Sequence, residues 1–282
     1  PLIVQLCKKC KFLQLKIITP PKDRYLNFDY SYTSSNSSYS KNHWNEFSKD
    51  LIKKYNVSGK KIIEIGSNDG YLTNLLKNKG AEVLCVDASK VMTKIAMKTK
   101  LNAICSVFNY KESVKIKKQF GEADIIIANN VFNHANEPAD FIKGVKNLLK
   151  DKKSVFIFEQ PDFTSGALTN KFDQIYHEHV SYFTATNINN FMINNKLFIK
   201  SIDKNEYHGG SLRTAVSLTS NKSINNNLKK FIKFEKNSKI YLSQFYKQMM
   251  NSILKQKKDI LIKIKNLIEK GYIISGVGAG AK

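Results

Sequence analysis

The chain has 282 residues, 42% hydrophobic and 24% charged, a balance that can bury a core and that excludes collagen-like, disordered and disulfide-scaffold proteins. The length accommodates one large domain or two smaller ones of about 150 residues. Lys and Arg number 46 against 23 Asp and Glu, a formal charge of +23; the aromatic-interleaved Arg clusters of a polynucleotide groove are not visible, so general surface charge is preferred over nucleic acid, and an anionic small substrate suits the surface.

Four Cys, of which only Cys7 and Cys10 are closely spaced, give no framework of bridges and point to a reducing compartment. No apolar run reaches the ~18 residues that span a bilayer, and no basic segment followed by an apolar one opens the chain. A soluble cytoplasmic protein without a membrane partner is expected. The chain begins at Pro1 and ends at Lys282 inside a glycine turn, so both ends are expected to be clipped from a longer protein.

In chain order, residues 1–20 alternate apolar positions (Leu2, Val4, Leu6, then Phe12, Leu13, Leu15) around Cys7-Lys8-Lys9-Cys10, which predicts a hairpin turning at the cysteines. Residues 29–42 are rich in Ser, Asn and Tyr and read as a loop. From His43 to Tyr55 the stripe Trp44, Phe47, Leu51, Ile52 predicts a helix. From Lys60 strands alternate with helices: KKIIEIG, a helix over 71–79, AEVLCVDAS, a helix over 91–98, a short strand near NAICSV, then ADIIIANNVF, the helix FIKGVKNLLK and the strand KSVFIFEQPDF. Strands separated by helices of about ten residues imply parallel pairing in a doubly wound α/β sheet covered on both faces.

After Asp162 the run FDQIYHEHVSYFTATNINNFMINN mixes a polar loop with a helix. LFIKSIDKNEYHGGSLRTAVSL reads as two strands around Gly209-Gly210. Residues 223–270 are basic and helical, an amphipathic connecting pair, and GYIISGVGAGAK reads as a strand entering a glycine turn. Cys85 and Cys105 fall in predicted strands and read as small core residues.

Two constellations could carry chemistry. The first, Glu64-Ile65-Gly66-Ser67-Asn68-Asp69-Gly70, lies at the carboxyl end of the first sheet strand, where an open α/β sheet takes its ligand. The dinucleotide fingerprint G-x-G-x-x-G is absent, because Asn68 occupies the place of its second Gly. Asp87 ends the next strand, as an acceptor for ribose hydroxyls should. An acidic strand, a G-x-x-x-G turn and this acid fit a nucleoside ligand with no phosphate in the turn, such as S-adenosylmethionine.

The stretch from Lys61 to Phe163 resembles a class I S-adenosylmethionine-dependent methyltransferase, which implies a Rossmann-like fold. The resemblance implies that Glu64, Gly66, Ser67 and Gly70 line the methionine and ribose side, that Asp87 binds the ribose, and that Asn129 faces the cofactor.

The second constellation is Tyr176-His177-Glu178-His179 followed by Ser181-Tyr182-Phe183, rich in groups that exchange protons near neutral pH. A metal site, a satisfied core His and a solvated loop compete with proton transfer, which is preferred. Together with HGGSLR (His208 to Arg213), the cysteine pair and the closing GVGAGAK, the segment resembles the sugar-nucleotide C-methyltransferases. That family implies a nucleoside-diphosphate-linked keto-deoxysugar as substrate, and three parts: a zinc-binding module (remnant at 1–42), a methyltransferase domain (43–222), and a helical linker leading into a nucleotide-fold domain (223–282).

Alkylating a carbon beside a ketone requires removal of an α proton and stabilisation of the enolate oxygen. By the resemblance His179 is the base, Glu178 orients or polarises the site, Tyr176 donates to the keto or enolate oxygen, and His134 lies near the sugar. Tyr30 and Tyr32 fall where the family has a tyrosine-bearing loop over the sugar. Arg213 is either a partner for the diphosphate or a surface or sheet-edge residue. Cys7 and Cys10 form half of a structural zinc site, which needs four ligands. Two alternatives stay open: O- or N-methylation of RNA or a small acceptor, and a cofactor-binding module without turnover. Nothing fixes the oligomeric state.

Overall fold

A computed structural model describes residues 2–26, 33–220 and 225–276. The expected hairpin forms from β1 (Val4–Leu6) and β2 (Leu13–Leu15), antiparallel with Leu6 opposite Leu13, and it turns at the cysteines. A short helical segment, Lys22–Leu26, follows. Helix α1 (Ser38–Tyr55) starts five residues before the predicted His43, because the Ser37 side chain accepts from the Ser40 backbone N–H and caps the first turn inside a Ser-rich stretch that reads as loop. Tyr30 and Tyr32 lie outside the described residues.

The alternating order then appears as β3 (Lys61–Ile65), α2 (Tyr71–Lys77), β4 (Glu82–Asp87), α3 (Lys90–Lys98), β5 (Ala103–Cys105), α4 (Tyr110–Gln119), β6 (Ile125–Asn129), α5 (Pro138–Leu148) and β7 (Val155–Pro161). After it come α6 (Phe163–Leu168), β8 (Ser181–Tyr182), α7 (Ala185–Asn194), β9 (Phe198–Asn205), β10 (Ser211–Ser217), α8 (Asn226–Asn237) and α9 (Ser243–Glu269). Three expectations are corrected. Helix α4 is an addition: its sequence YKESVKIKKQ buries only Ser113 and Ile116 and so carries almost no apolar stripe. Residues 272–276 form no strand, since no neighbouring segment among the described residues supplies a ladder, and Ile273 is exposed. Cys105 is exposed on the edge strand β5, whereas Cys85 is buried in β4.

The main sheet has the order β5-β4-β3-β6-β7-β10-β9. Pairing is parallel from β5 to β7 and antiparallel for β10 and β9. Strands buried on both faces need apolar side chains at every position, so they read as unbroken runs. Ile63, Ile65, Ile126, Ala128, Phe156 and Phe158 fill one face; Ile62, Ile125, Ile127, Val155 and Ile157 fill the other against Trp44, Phe47 and Leu51 of α1. Each fully buried Ile or Phe contributes about 1.5–3 kcal/mol.

The sheet grows outward in opposite directions from the β3–β6 junction, and the carboxyl ends of those strands open a crevice there. A second sheet, β1-β2-β8, is completed when Leu13 and Gln14 pair with Tyr182 and Ser181, which anchors the hairpin beside the loop that carries the Tyr-His-Glu-His run. Its apolar side packs on Phe163 of α6 and on Met249 and Ile253 of α9. Among the described residues no helix is long and apolar enough to cross a membrane.

Candidate active site

The turn from β3 into α2 forms one wall of a cleft of about 350 Å3. Gly66 and Gly70 both hold left-handed backbone (φ +69° and +78°). A Cβ on Gly66 would lie 1.9 Å from Val131 Cγ2, and one on Gly70 would lie 2.5 Å from Leu101 Cδ1. The glycines therefore admit neighbouring side chains of the protein, in addition to making the tight turn. Asp87 holds the turn from β4, accepting from the Asn68 and Ser89 backbone N–H groups at 2.8 Å each; burial pushes its carboxyl up.

Glu64 is buried beneath the turn, takes a hydrogen bond from the Thr73 hydroxyl, and is pushed up to about 8 by burial. Unread in the sequence was a strap: Ser34 and Ser35 hydroxyls donate to Asp69 at 2.5 and 2.6 Å, and the Ser34 N–H donates to Asn68 Oδ1 at 2.8 Å.

Of the expected cofactor residues Glu64, Gly66, Ser67, Asp87 and Asn129 line the cleft, whereas Gly70 does not and packs against Leu101 and Ala96. Ser67 Oγ and both polar atoms of the Asn129 side chain are buried with no hydrogen-bond partner among the described residues. Buried polar groups left unpaired cost free energy, so their place on a cleft wall points to a ligand that satisfies them. Two carboxyls, a hydroxyl and an amide suit the ammonium, carboxylate and ribose hydroxyls of S-adenosylmethionine, and the cleft is within the size range of small-ligand sites.

His134 closes the far side of the same cleft from the 3-10 turn Phe132–His134 that follows β6. Its Nδ1 lies 2.7 Å from the Tyr25 hydroxyl, and its ring centroid lies 5.1 Å from that of His179, at 71°. His179, 6% exposed, has Nδ1 2.9 Å from the Gln174 carbonyl and Nε2 3.1 Å from the Tyr176 hydroxyl. A carbonyl only accepts, so Nδ1 carries the proton and the Nε2 lone pair accepts from the phenol. A small pocket of about 20 Å3 adjoins His179, bordered by Asn133 and Ser181, whose side chains have no hydrogen-bond partner among the described residues. Glu178 is half-buried, and its backbone carbonyl accepts from Arg24 at 3.2 Å. Thus Tyr176, His179 and His134 come together, with Tyr25 and Arg24 as members that spacing did not reveal.

Arg213 does not face the cleft. It lies on β10, an interior strand, donates from Nε to Glu159 at 2.8 Å, and stacks 3.7 Å over Phe47. Glu159 is fully buried and also meets His43 at 2.7 Å; burial opposes its charge, but His43 and Arg213 prevail and hold its carboxyl below the usual range. His208, from HGGSLR, lines the cleft in left-handed backbone.

Cys7 and Cys10 face each other across the hairpin turn, and the Cys10 N–H donates to Cys7 Sγ at 3.5 Å. That bond leads the causes lowering the Cys7 thiol, the ionised form a metal takes. Among the described residues no group of three or more potential metal ligands occurs. The two thiols fit half of a closed tetrahedron and no more.

Comparison with known proteins accords with this geometry. A family described as "Methyltransferase domain" matches residues 40–196, more than half the chain, and one described as "C-methyltransferase C-terminal domain" matches 206–282. C-methyltransferase NovU of Streptomyces niveus is 22% identical over 284 residues, covering 100% of this chain and 67% of NovU. A ubiquinone biosynthesis O-methyltransferase of Acinetobacter baylyi is 25% identical over 103 residues, 36% of this chain and 43% of that protein.

Among solved structures, PH0226 protein from Pyrococcus horikoshii superposes with a TM-score of 0.52 at 18% identity, covering 70% of this chain and 99% of that one. Magnesium protoporphyrin IX methyltransferase from Synechocystis, with bound SAH, gives a TM-score of 0.50 at 16% identity, covering 64% of this chain and 83% of that one. With a cleft at the switch point of the sheet and a family match over more than half its length, the chain belongs to the methyltransferase-domain family and is an S-adenosylmethionine-dependent methyltransferase.

Proposed function

We propose that the chain methylates a carbon of a nucleoside-diphosphate-linked keto-deoxysugar through an enolate formed by His179. The observation that carries this reading is the edge-to-face contact of His179 with His134 at the edge of the cofactor cleft, with Tyr176 bonded to the His179 imidazole. Oxygen and nitrogen acceptors own a lone pair, whereas a carbon beside a ketone must first lose a proton. A buried imidazole whose Nδ1 proton is held by the Gln174 carbonyl has Nε2 left as the atom to take it.

When bound, S-adenosylmethionine supplies an electrophilic methyl group on a sulfonium. The protein's residues manage the proton and the oxygen. For Nε2 of His179 to take the α proton, the Tyr176 hydroxyl turns away from that nitrogen and donates to the forming enolate oxygen, while Nδ1–H stays on the Gln174 carbonyl. Glu178 completes the polar surroundings and His134 borders the sugar. Glu64, Ser67, Asp87 and Asn129 hold the cofactor, with Gly66 and Gly70 shaping the turn. The catalytic domain runs to residue 222 and starts with α1 at Ser38 rather than at His43, because α1 is one continuous helix, and the helical linker follows it. Cys7 and Cys10 would supply two of the four ligands of a structural zinc site. Four free thiols suit a cytoplasmic place of work.

The resemblance to NovU supports the carbon acceptor, since it extends along the whole chain, whereas the O-methyltransferase match covers only 36% of it. Incubation with 13C-methyl-labelled S-adenosylmethionine and a 4-keto-deoxysugar nucleotide should place the label on a ring carbon, read by NMR. Label on oxygen or nitrogen, or transfer only to RNA with affinity falling steeply in salt, overturns the proposal.

A further inference from the structure

Of the 46 basic residues only two are Arg, Arg24 and Arg213. A chain that meets nearly every demand for positive charge with Lys keeps Arg where the planar fork is needed. Arg213 uses its fork on buried Glu159. Arg24 uses its fork on neutral oxygens of two separate loops: Nη1 donates to the His134 carbonyl and to the Glu178 carbonyl, each at 3.2 Å, and Nη2 donates to Asn136 Oδ1. Asn136 is itself oriented, its Nδ2 donating to the Thr19 carbonyl at 3.1 Å. Next along the chain, the Tyr25 hydroxyl meets His134 Nδ1 at 2.7 Å, and Arg24 lies over the Tyr25 ring at 5.3 Å.

We infer that Arg24 and Tyr25 are positioning residues for the acid–base pair. This rests on the proposed enolate reaction. The guanidinium locks the turn carrying His134 to the loop carrying Tyr176 and His179, which fixes the 5.1 Å ring contact. The same inference makes the Tyr25 phenol the donor to Nδ1, which would keep the His134 proton on Nε2 and leave this imidazole presenting a donor. Tyr25 also lines the cleft, whereas Arg24 does not. An ammonium at position 24 is a point charge on a flexible stem and reaches fewer of the three oxygens at once. Misplacement of a reacting group by about 1 Å can cost ~100-fold in rate.

The test compares wild type with Arg24→Ala, Arg24→Lys and Tyr25→Phe. Arg24→Ala should lower kcat for methyl transfer ~10–100-fold while KM for S-adenosylmethionine stays within about twofold, with Arg24→Lys between the two. Tyr25→Phe should shift the pH profile of kcat. In 15N-histidine NMR spectra, wild-type His134 should show an acceptor-type Nδ1, and Tyr25→Phe should show a mixture of tautomers. Unchanged kcat in all variants, equal losses in kcat and cofactor binding, or His134 nitrogen shifts identical in wild type and Tyr25→Phe would each overturn the inference. If Arg24→Ala does not fold, Tyr25→Phe decides alone. If wild type transfers no methyl to a keto-sugar nucleotide, the enolate reading fails, and the tautomer spectra still decide the positioning roles.

Discussion

Nε2 of His179 and the hydroxyl of Tyr176 lie 3.1 Å apart, and the Gln174 carbonyl on the other side of the imidazole leaves this nitrogen as the acceptor. On the proposed reading, Tyr176 both holds the base and stands ready to donate to the substrate oxygen. Tyr176→Phe should reduce methyl transfer ~100-fold with the binding of S-adenosylmethionine unchanged, a loss in the range for one donor at a developing oxyanion. Single-turnover rates beside calorimetric titration check this. A parallel loss of cofactor affinity would assign Tyr176 to the cofactor instead.

Glu64 gives a pH signature. Its buried carboxyl is pushed up to about 8 from 4.5, so the folded protein keeps a proton that the unfolded chain has released. Stability must then fall as pH rises from about 4.5 to 8 and level off above that. Glu64→Gln keeps an oxygen for the Thr73 hydroxyl and carries no proton to lose. The Tm difference between variant and wild type should therefore grow in favour of the variant from pH 5 to 8; a constant difference refutes an elevated Glu64.

The strap on Asp69 is testable by denaturation. Its carboxylate accepts from Ser34 Oγ, Ser35 N–H, Ser35 Oγ and Tyr71 N–H. Asp69→Ala should lower stability by ~1–3 kcal/mol by leaving these donors unpaired, and Asp69→Asn by less. Urea midpoints provide the measurement, and equal midpoints would show that the strap carries no weight.

Arg213 belongs to the frame. Arg213→Ala leaves the fully buried Glu159 carboxylate with only His43 and Asn205 and should cost up to ~3 kcal/mol. At a temperature where the variant is folded, KM for the sugar nucleotide should match wild type. A selective rise in that KM would restore a diphosphate role.

How much of this could be read from residues alone follows from physical range. The parallel strands were legible because KIIEI and IIIAN must be apolar on both faces, and Asp87 and Gly70 stand at fixed offsets from strand ends. Helix α4 was not, because two buried residues make no stripe. Ser37 looked like loop, since a capping residue and a loop residue are chemically the same. The contacts of Arg24 and Tyr25 join positions 109 to 154 residues apart, which no local period reports. Arg213 had two open readings, and the choice between them and a core role required the register that sets it opposite Glu159.

Exchange of the α hydrogen of a 4-keto-deoxysugar nucleotide with deuterated solvent, followed by NMR with S-adenosylhomocysteine in place of the methyl donor, asks directly whether an imidazole opens the reaction. Wild type should wash out the hydrogen at one carbon, and His179→Asn should slow that at least ~100-fold while still binding the cofactor. Undiminished exchange in His179→Asn would contradict the assignment of this histidine as the base.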